Sequence, residues 1–156
     1  MLLILGGRSP PPNAPYGELL SAGAIICLPV STVVASFLAD PLNFPKWATG
    51  LSTRLVSERD GDDVSTTACK WMAETPLGRA TIRFIPENGF GMADHWVSFA
   101  DRVEIYVPLR SVPNRNGAEV SLTLFRFPEM DDALFEADSD WVERDLATLK
   151  RVLECD

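Results

Sequence analysis

Residues 118–154 read AEVSLTLFRFPEMDDALFEADSDWVERDLATLKRVLE, and a change of period inside them decides the fold. Val120, Leu122 and Leu124 alternate with Ser121 and Thr123, the two-residue repeat of a strand with one apolar face. Beyond Pro128 the repeat lengthens, and Phe135, Val142, Leu146, Leu149 and Leu153 fall on one stripe of an α-helix. Pro128 and Asp131 mark its start. Running to about Glu154, this helix spans roughly 35 Å at 1.5 Å per residue. A half-apolar strand followed at once by so long an amphipathic helix predicts a sheet with the helix laid across its apolar face.

The chain upstream supplies the rest of that sheet. Leu51–Glu58, Val64–Met72, Arg79–Ile85, Ala93–Phe99, Val103–Leu109 and Ala118–Phe127 are short apolar runs. Between them lie turn signals: Asp60-Gly61-Asp62-Asp63, Thr75-Pro76-Leu77-Gly78, Pro86-Glu87-Asn88-Gly89, Ala100-Asp101-Arg102 and Asn114-Arg115-Asn116-Gly117. Connections this short predict an antiparallel meander. Leu20–Leu28, ended by Pro29, reads as an earlier strand. A helix follows, capped by Ser31 or Thr32, carried by Val33, Val34, Phe37 and Leu38, and stopped at Asp40-Pro41. Leu42–Trp47, broken by Pro45, is a second short helical piece. The expected class is therefore α+β: a curved antiparallel sheet of about seven strands wrapped around a long C-terminal helix, with two short helices after the first strand.

Residues 1–18, with Gly6, Gly7 and the Pro10–Pro12 run, read as a flexible Pro-rich tail or a start codon placed upstream, leaving one domain over 19–156. Met1–Leu5 is too short for a signal segment or a membrane span. Cys27, Cys69 and Cys155 are odd in number and widely spaced, so neither a disulfide framework nor a zinc knuckle is expected, and a reduced, cytoplasmic setting fits. The formal net charge of −8, with basic residues scattered singly, repels phosphate backbones and argues against nucleic acid as a partner.

Several stretches together resemble bacterial START-like (SRPBCC) proteins. They are Pro29-Val30-Ser31-Thr32-Val33, Asn43-Phe44-Pro45-Lys46-Trp47, Trp71 with Thr75-Pro76-Leu77-Gly78, Asp94-His95, Val107-Pro108-Leu109-Arg110, Pro113-Asn114, Gly117-Ala118-Glu119-Val120, Asp145-Leu146 and Leu149-Lys150. The likeness extends over nearly all of residues 20–154 and is similar to members called polyketide cyclase-like. What it implies is the helix-grip fold and a deep pocket between sheet and long helix. It implies no reaction, since this fold serves carriers, receptors and enzymes alike, and no catalytic motif and no cofactor carries over.

Strand parity points Ile82, Phe84, Ala93, His95, Val97 and Phe99 to the core side. Val103, Ile105, Val107, Leu109, Val120, Leu122 and Leu124 share that side. These residues suit either a pocket for an apolar ligand or a filled core. As pocket lining we take Trp71, Phe84, His95, Val97, Phe99, Ile105, Val107, Leu122 and Leu124 from the sheet. Asp138, Trp141, Val142, Asp145 and Leu149 join them from the helix. Trp47 reads as core, and Trp96 points outward.

His95 is the only histidine, which excludes metal schemes needing two. It reads either as a proton-transferring group, the best catalytic candidate in the chain, or as a satisfied structural residue. Asp138 and Asp145 fall within the apolar stripe of the last helix, where carboxylates need partners. Counting levels along the meander places His95 opposite Val107 and nearer Asp138 than Asp145, with Asp145 tied to an arginine or to backbone donors. Arg110 and Arg126 are the basic candidates for a polar anchor, Arg110 only if Pro108 marks a bulge, although a surface or structural ion pair is the role such arginines more often take.

The chain lacks Gly-x-Ser-x-Gly, Walker-type, His-Glu-x-x-His and paired-cysteine patterns, so the familiar covalent, phosphoryl-transfer and zinc mechanisms lack their parts. The leading expectation is binding or transport of a small hydrophobic molecule: a lipid, isoprenoid or aromatic metabolite. A metal-free cyclase/aromatase-type enzyme is the alternative, and a protein-interaction module the third. Homodimerisation is left open.

Overall fold

The structure, a computed structural model, describes residues 18–26, 30–48, 55–58, 70–75, 78–100, 104–128 and 130–154. The Pro-rich stretch 1–17, all three cysteines, Leu28, Leu51, Val64, Val103 and the Asp60–Asp63 turn signal lie outside them. The strands are β1 (Glu18–Ile26), β2 (Leu55–Glu58), β3 (Lys70–Thr75), β4 (Gly78–Phe84), β5 (His95–Phe99), β6 (Ile105–Val107), β7 (Leu109–Asn114) and β8 (Gly117–Arg126). The helices are α1 (Ser31–Ala39), α2 (Phe44–Trp47) and α3 (Asp132–Glu154), with a 3₁₀ turn at Pro41–Asn43.

Every strand pairing is antiparallel, in the orders β2-β3-β4-β5-β6 and β1-β8-β7. The strand expected over Val103–Leu109 is divided at Pro108, which has no N–H to offer a ladder. Its carbonyl accepts from Thr123 N–H at 3.0 Å, while Ala93 N–H donates to Leu109 O at 2.9 Å and Ser111 N–H to Gly91 O at 2.7 Å. The two orders are thus joined through one bent arm, β6 and β7, into a continuous curved sheet. β1 starts at Glu18, earlier than the expected Leu20, because its pairing with β8 continues to Arg126.

Val30 occupies the N-cap of α1 with no side-chain cap bond, so the expected role of Ser31 or Thr32 is not taken up. The Val30 carbonyl serves that end instead, accepting from Val33 and Val34 N–H. Asp40 caps the following 3₁₀ turn, its Oδ1 accepting from Leu42 N–H at 3.0 Å. The piece expected over Leu42–Trp47 is in fact this turn followed by α2, with Pro45 near the start of α2 where its missing N–H costs nothing. Asp131 begins α3 by accepting from Leu134 N–H at 2.8 Å.

α3 lies against β1, β8 and α2. Its buried face carries Phe135, Asp138, Val142, Asp145, Leu146, Leu149 and Leu153. Opposite it, Ile82, Val97, Leu109 and Val120 are sealed from solvent; each such side chain contributes roughly 1.5–3 kcal/mol. No helix among the described residues is long and apolar enough to cross a membrane.

Gly91 leads the chain into β5 at φ +70°, and a Cβ built there would lie 2.0 Å from Ser111 O. The close approach is what lets Ser111 N–H reach the Gly91 carbonyl. Gly91→Ala is expected to cost about 2 kcal/mol from left-handed strain alone, read as a lower urea midpoint at unchanged slope.

Candidate functional site

β5 opens with His95 on the inward side, paired with Phe84 of β4 and Val107 of β6. The parity that buries Phe84 and Val97 therefore buries the imidazole, which is 2% exposed. α2 closes over it. Phe44 stacks edge-on against Trp47, Phe84 and His95, with ring centroids 5.2, 5.3 and 5.2 Å apart, the arrangement that aromatic quadrupoles favour.

His95 Nδ1 lies 3.3 Å from Ala93 O. A carbonyl only accepts, so Nδ1 carries the proton and Nε2 of the neutral ring is bare. Burial lowers the His95 pKa from 6.5 to about 4, against a smaller upward pull from Ala93 O. The imidazole is therefore neutral at pH 7, and a base held dry.

Between α2, the sheet and α3 lies a cavity of about 30 Å³, room for about two water molecules at the ~10–15 Å³ each needs. Of the expected lining, His95, Val107, Leu122, Asp138, Trp141, Val142 and Asp145 meet on its wall. Asp138 is fully buried and Asp145 nearly so. Both helix aspartates thus line the same cavity as His95. Each keeps a partner within the fold. The indole N–H of Trp141 is buried without a hydrogen-bond partner.

The other expected lining residues lie elsewhere. Phe84, Val97, Ile105 and Leu149 belong to the packed core, with Trp71 and Phe99 half-buried against it. Leu124 joins a separate cluster with Met130 and Phe135. The arginines form structural ion pairs. Inward parity runs unbroken through Pro108 from Val107 to Leu109, so Arg110 points away from the cavity, where it forms an ion pair with Asp94. Arg126 bonds Asp132 and the Met130 carbonyl at the start of α3. Neither arginine lines the cavity.

Phe44, Trp47 and Ala48 do line it; Trp47 was expected only as core, and Phe44 and Ala48 were given no place in the site. Their signal was the i, i+3, i+4 spacing, which puts all three on one helical face. Among the described residues no group of three or more His, Cys, Asp or Glu side chains is placed to hold a metal ion.

No protein-family model matches the chain, and no curated protein sequence does. Solved structures do match. A START superfamily protein from Mycobacterium smegmatis superposes with TM-score 0.64 at 10% identity, over 89% of this chain and 99% of that one. The Aha1 dimer from Colwellia psychrerythraea gives TM-score 0.65 at 11% identity, over 88% and 97%. The Zhui aromatase/cyclase from Streptomyces sp. R1128 gives 0.62 at 12%, over 88% and 93%. The chain has the START-like, helix-grip fold.

Proposed function

We propose that this chain binds a small hydrophobic molecule, of the lipid, isoprenoid or aromatic class, between the sheet and α3. The observation that supports this most is the cavity wall: apolar and aromatic side chains from α2, β6, β8 and α3 surround His95, Asp138, Asp145 and an unpartnered indole N–H. A core evolved only for packing excludes such groups, because each costs free energy to bury, whereas a binding pocket uses a few of them to orient its ligand. The present void fits the polar end of a ligand. Its body needs roughly 300 Å³ or more, and α2, a helix of only four residues, is the wall that yields.

Native mass spectrometry of the purified protein is expected to show a bound small molecule. Nile red is expected to bind with micromolar affinity while changing the emission of Trp47 and Trp141. Val142→Trp, which fills the void, should weaken that affinity by about tenfold or more, as overpacking takes up the available space. A protein with no retained molecule and no affinity for Nile red would overturn the reading.

A second reading is a cyclase/aromatase-type enzyme in which the bare Nε2 of His95 accepts a proton from the substrate. It is supported by the neutral imidazole on the cavity wall. Arg110 and Arg126, engaged with Asp94 and Asp132, do not serve it as an anion-steadying group. Full turnover by His95→Ala on an identified substrate would remove this mechanism.

A further inference from the structure

Two polar groups among the residues of the cavity wall are complementary in kind. His95 is almost wholly buried, and its ring packs against Phe44 and Phe84 with centroids 5.2 and 5.5 Å away. Its Nδ1–H is used by Ala93 O, which fixes the tautomer and leaves Nε2 an acceptor with no hydrogen-bond partner among the described residues. The Trp141 indole N–H is a donor, and it too is buried without a partner. The exposed Arg144 guanidinium, 4.7 Å from the ring centroid, covers a face of that indole and holds it in place. Both residues border the void of about 30 Å³. Asp138 and Asp145 share the wall and already have partners in the fold, whereas His95 Nε2 and the Trp141 N–H keep their bonding capacity unused.

Resting on the binding function proposed above, we infer that the ligand is an apolar alcohol whose hydroxyl enters this void, donating to His95 Nε2 and accepting from the Trp141 indole N–H, with its hydrocarbon body toward α2 and α3. A hydroxyl is donor and acceptor on a single atom, the complement of this pair. Together with its carbon it is about the size of the water molecules that the void admits. An ether, ketone or carboxylate only accepts, and leaves Nε2 unmatched. An alkylammonium only donates, and leaves the indole N–H unmatched. A carboxamide does both, but through separate nitrogen and oxygen atoms on a shared carbon, a head larger than the void.

The test displaces Nile red from the full chain at pH 7 with probes of like length: octanol, its isomer heptyl methyl ether, octylamine and octanoate. Octanol is expected to bind about fivefold or more tighter than the ether, the worth of one net hydrogen bond, and tighter than both charged probes. His95→Phe keeps a ring beside Phe44 and Phe84 and removes the acceptor; it should bring octanol and the ether to within about twofold of each other. Trp141→Phe removes the donor that both molecules use, so it should weaken both and leave the octanol advantage in place. The ratio in the native chain decides by itself if either variant fails to fold. An ether that binds as tightly as octanol, a charged probe that binds tighter, or an octanol advantage that survives His95→Phe overturns the alcohol assignment while the hydrophobic-binding reading stands. Nile red binding that no probe competes with does the same. A chain that binds neither Nile red nor any of the probes overturns both.

Discussion

Acidification from pH 7 to pH 4 is expected to remove about 3 kcal/mol of stability through His95 alone, the interval between an unfolded pKa of 6.5 and a folded value of about 4. The folded value is the lower one, so between the two the unfolded chain binds the proton and the folded chain does not. The stabilising contribution is complete above pH 6.5, declines as the pH falls through the window, and is exhausted below about 4. Asp138 and Asp145 line the same cavity, so the measurement is differential. Urea unfolding of the native chain and of His95→Phe, whose ring can occupy the space between Phe44 and Phe84, is followed from pH 7 to pH 4. The gap between the two is expected to shift by about 3 kcal/mol in favour of the variant. His95→Gln, which retains a polar group, should behave like the phenylalanine variant. Parallel curves would mean that the imidazole protonates in the folded state without penalty, and the dry, neutral His95 on which the site rests would be wrong.

The second large effect is expected at Asp94, the residue before His95, whose side chain points to the other side of the sheet. It is 3% exposed, and its Oδ1 accepts from Leu109 N–H at 3.0 Å. Tyr106 O–H donates to Oδ2 and the Arg110 guanidinium pairs with the same carboxyl. One carboxylate thereby ties the lead into β5 to both sides of the break at Pro108, where the ladder is weakest. Asp94→Ala leaves a buried backbone N–H and a phenol without their acceptor, at a cost of about 3 kcal/mol. Arg110→Met should cost about 1 kcal/mol, because that side chain is 37% exposed and water screens the pair from its side. Urea midpoints give the ranking directly, and an Asp94→Ala protein no less stable than Arg110→Met would show that the carboxylate is not the anchor.

Much of this architecture was legible before any coordinates. The alternation of Val120, Leu122 and Leu124 and the stripe from Phe135 to Leu153 each bury one face, because a strand and a helix have periods that sort side chains without help from the rest of the chain. Register followed from parity and short turns: His95 does pair with Val107. Where proline intervened the reading was coarser, since Pro108 divides a strand whose parity it nonetheless preserves. The candidate site was legible only in part. Parity marks a residue as inward, yet Phe84 and Val97 inside the packed core and His95 on a cavity wall have the same inward parity.

By itself, the sequence determined the fold class, the strand and helix faces, the isolation of the single histidine on an apolar side and the two aspartates within an apolar stripe. These are local consequences of period and side-chain chemistry. The tertiary structure alone decided which inward residues border a void, that α2 supplies Phe44, Trp47 and Ala48 to it, and that Asp138 and Asp145 reach the same wall. It also decided that Arg110 serves Asp94 and Arg126 serves Asp132. A void and an ion pair depend on how closely elements distant in sequence approach, and that distance is set by the packing of whole layers, which no local repeat encodes.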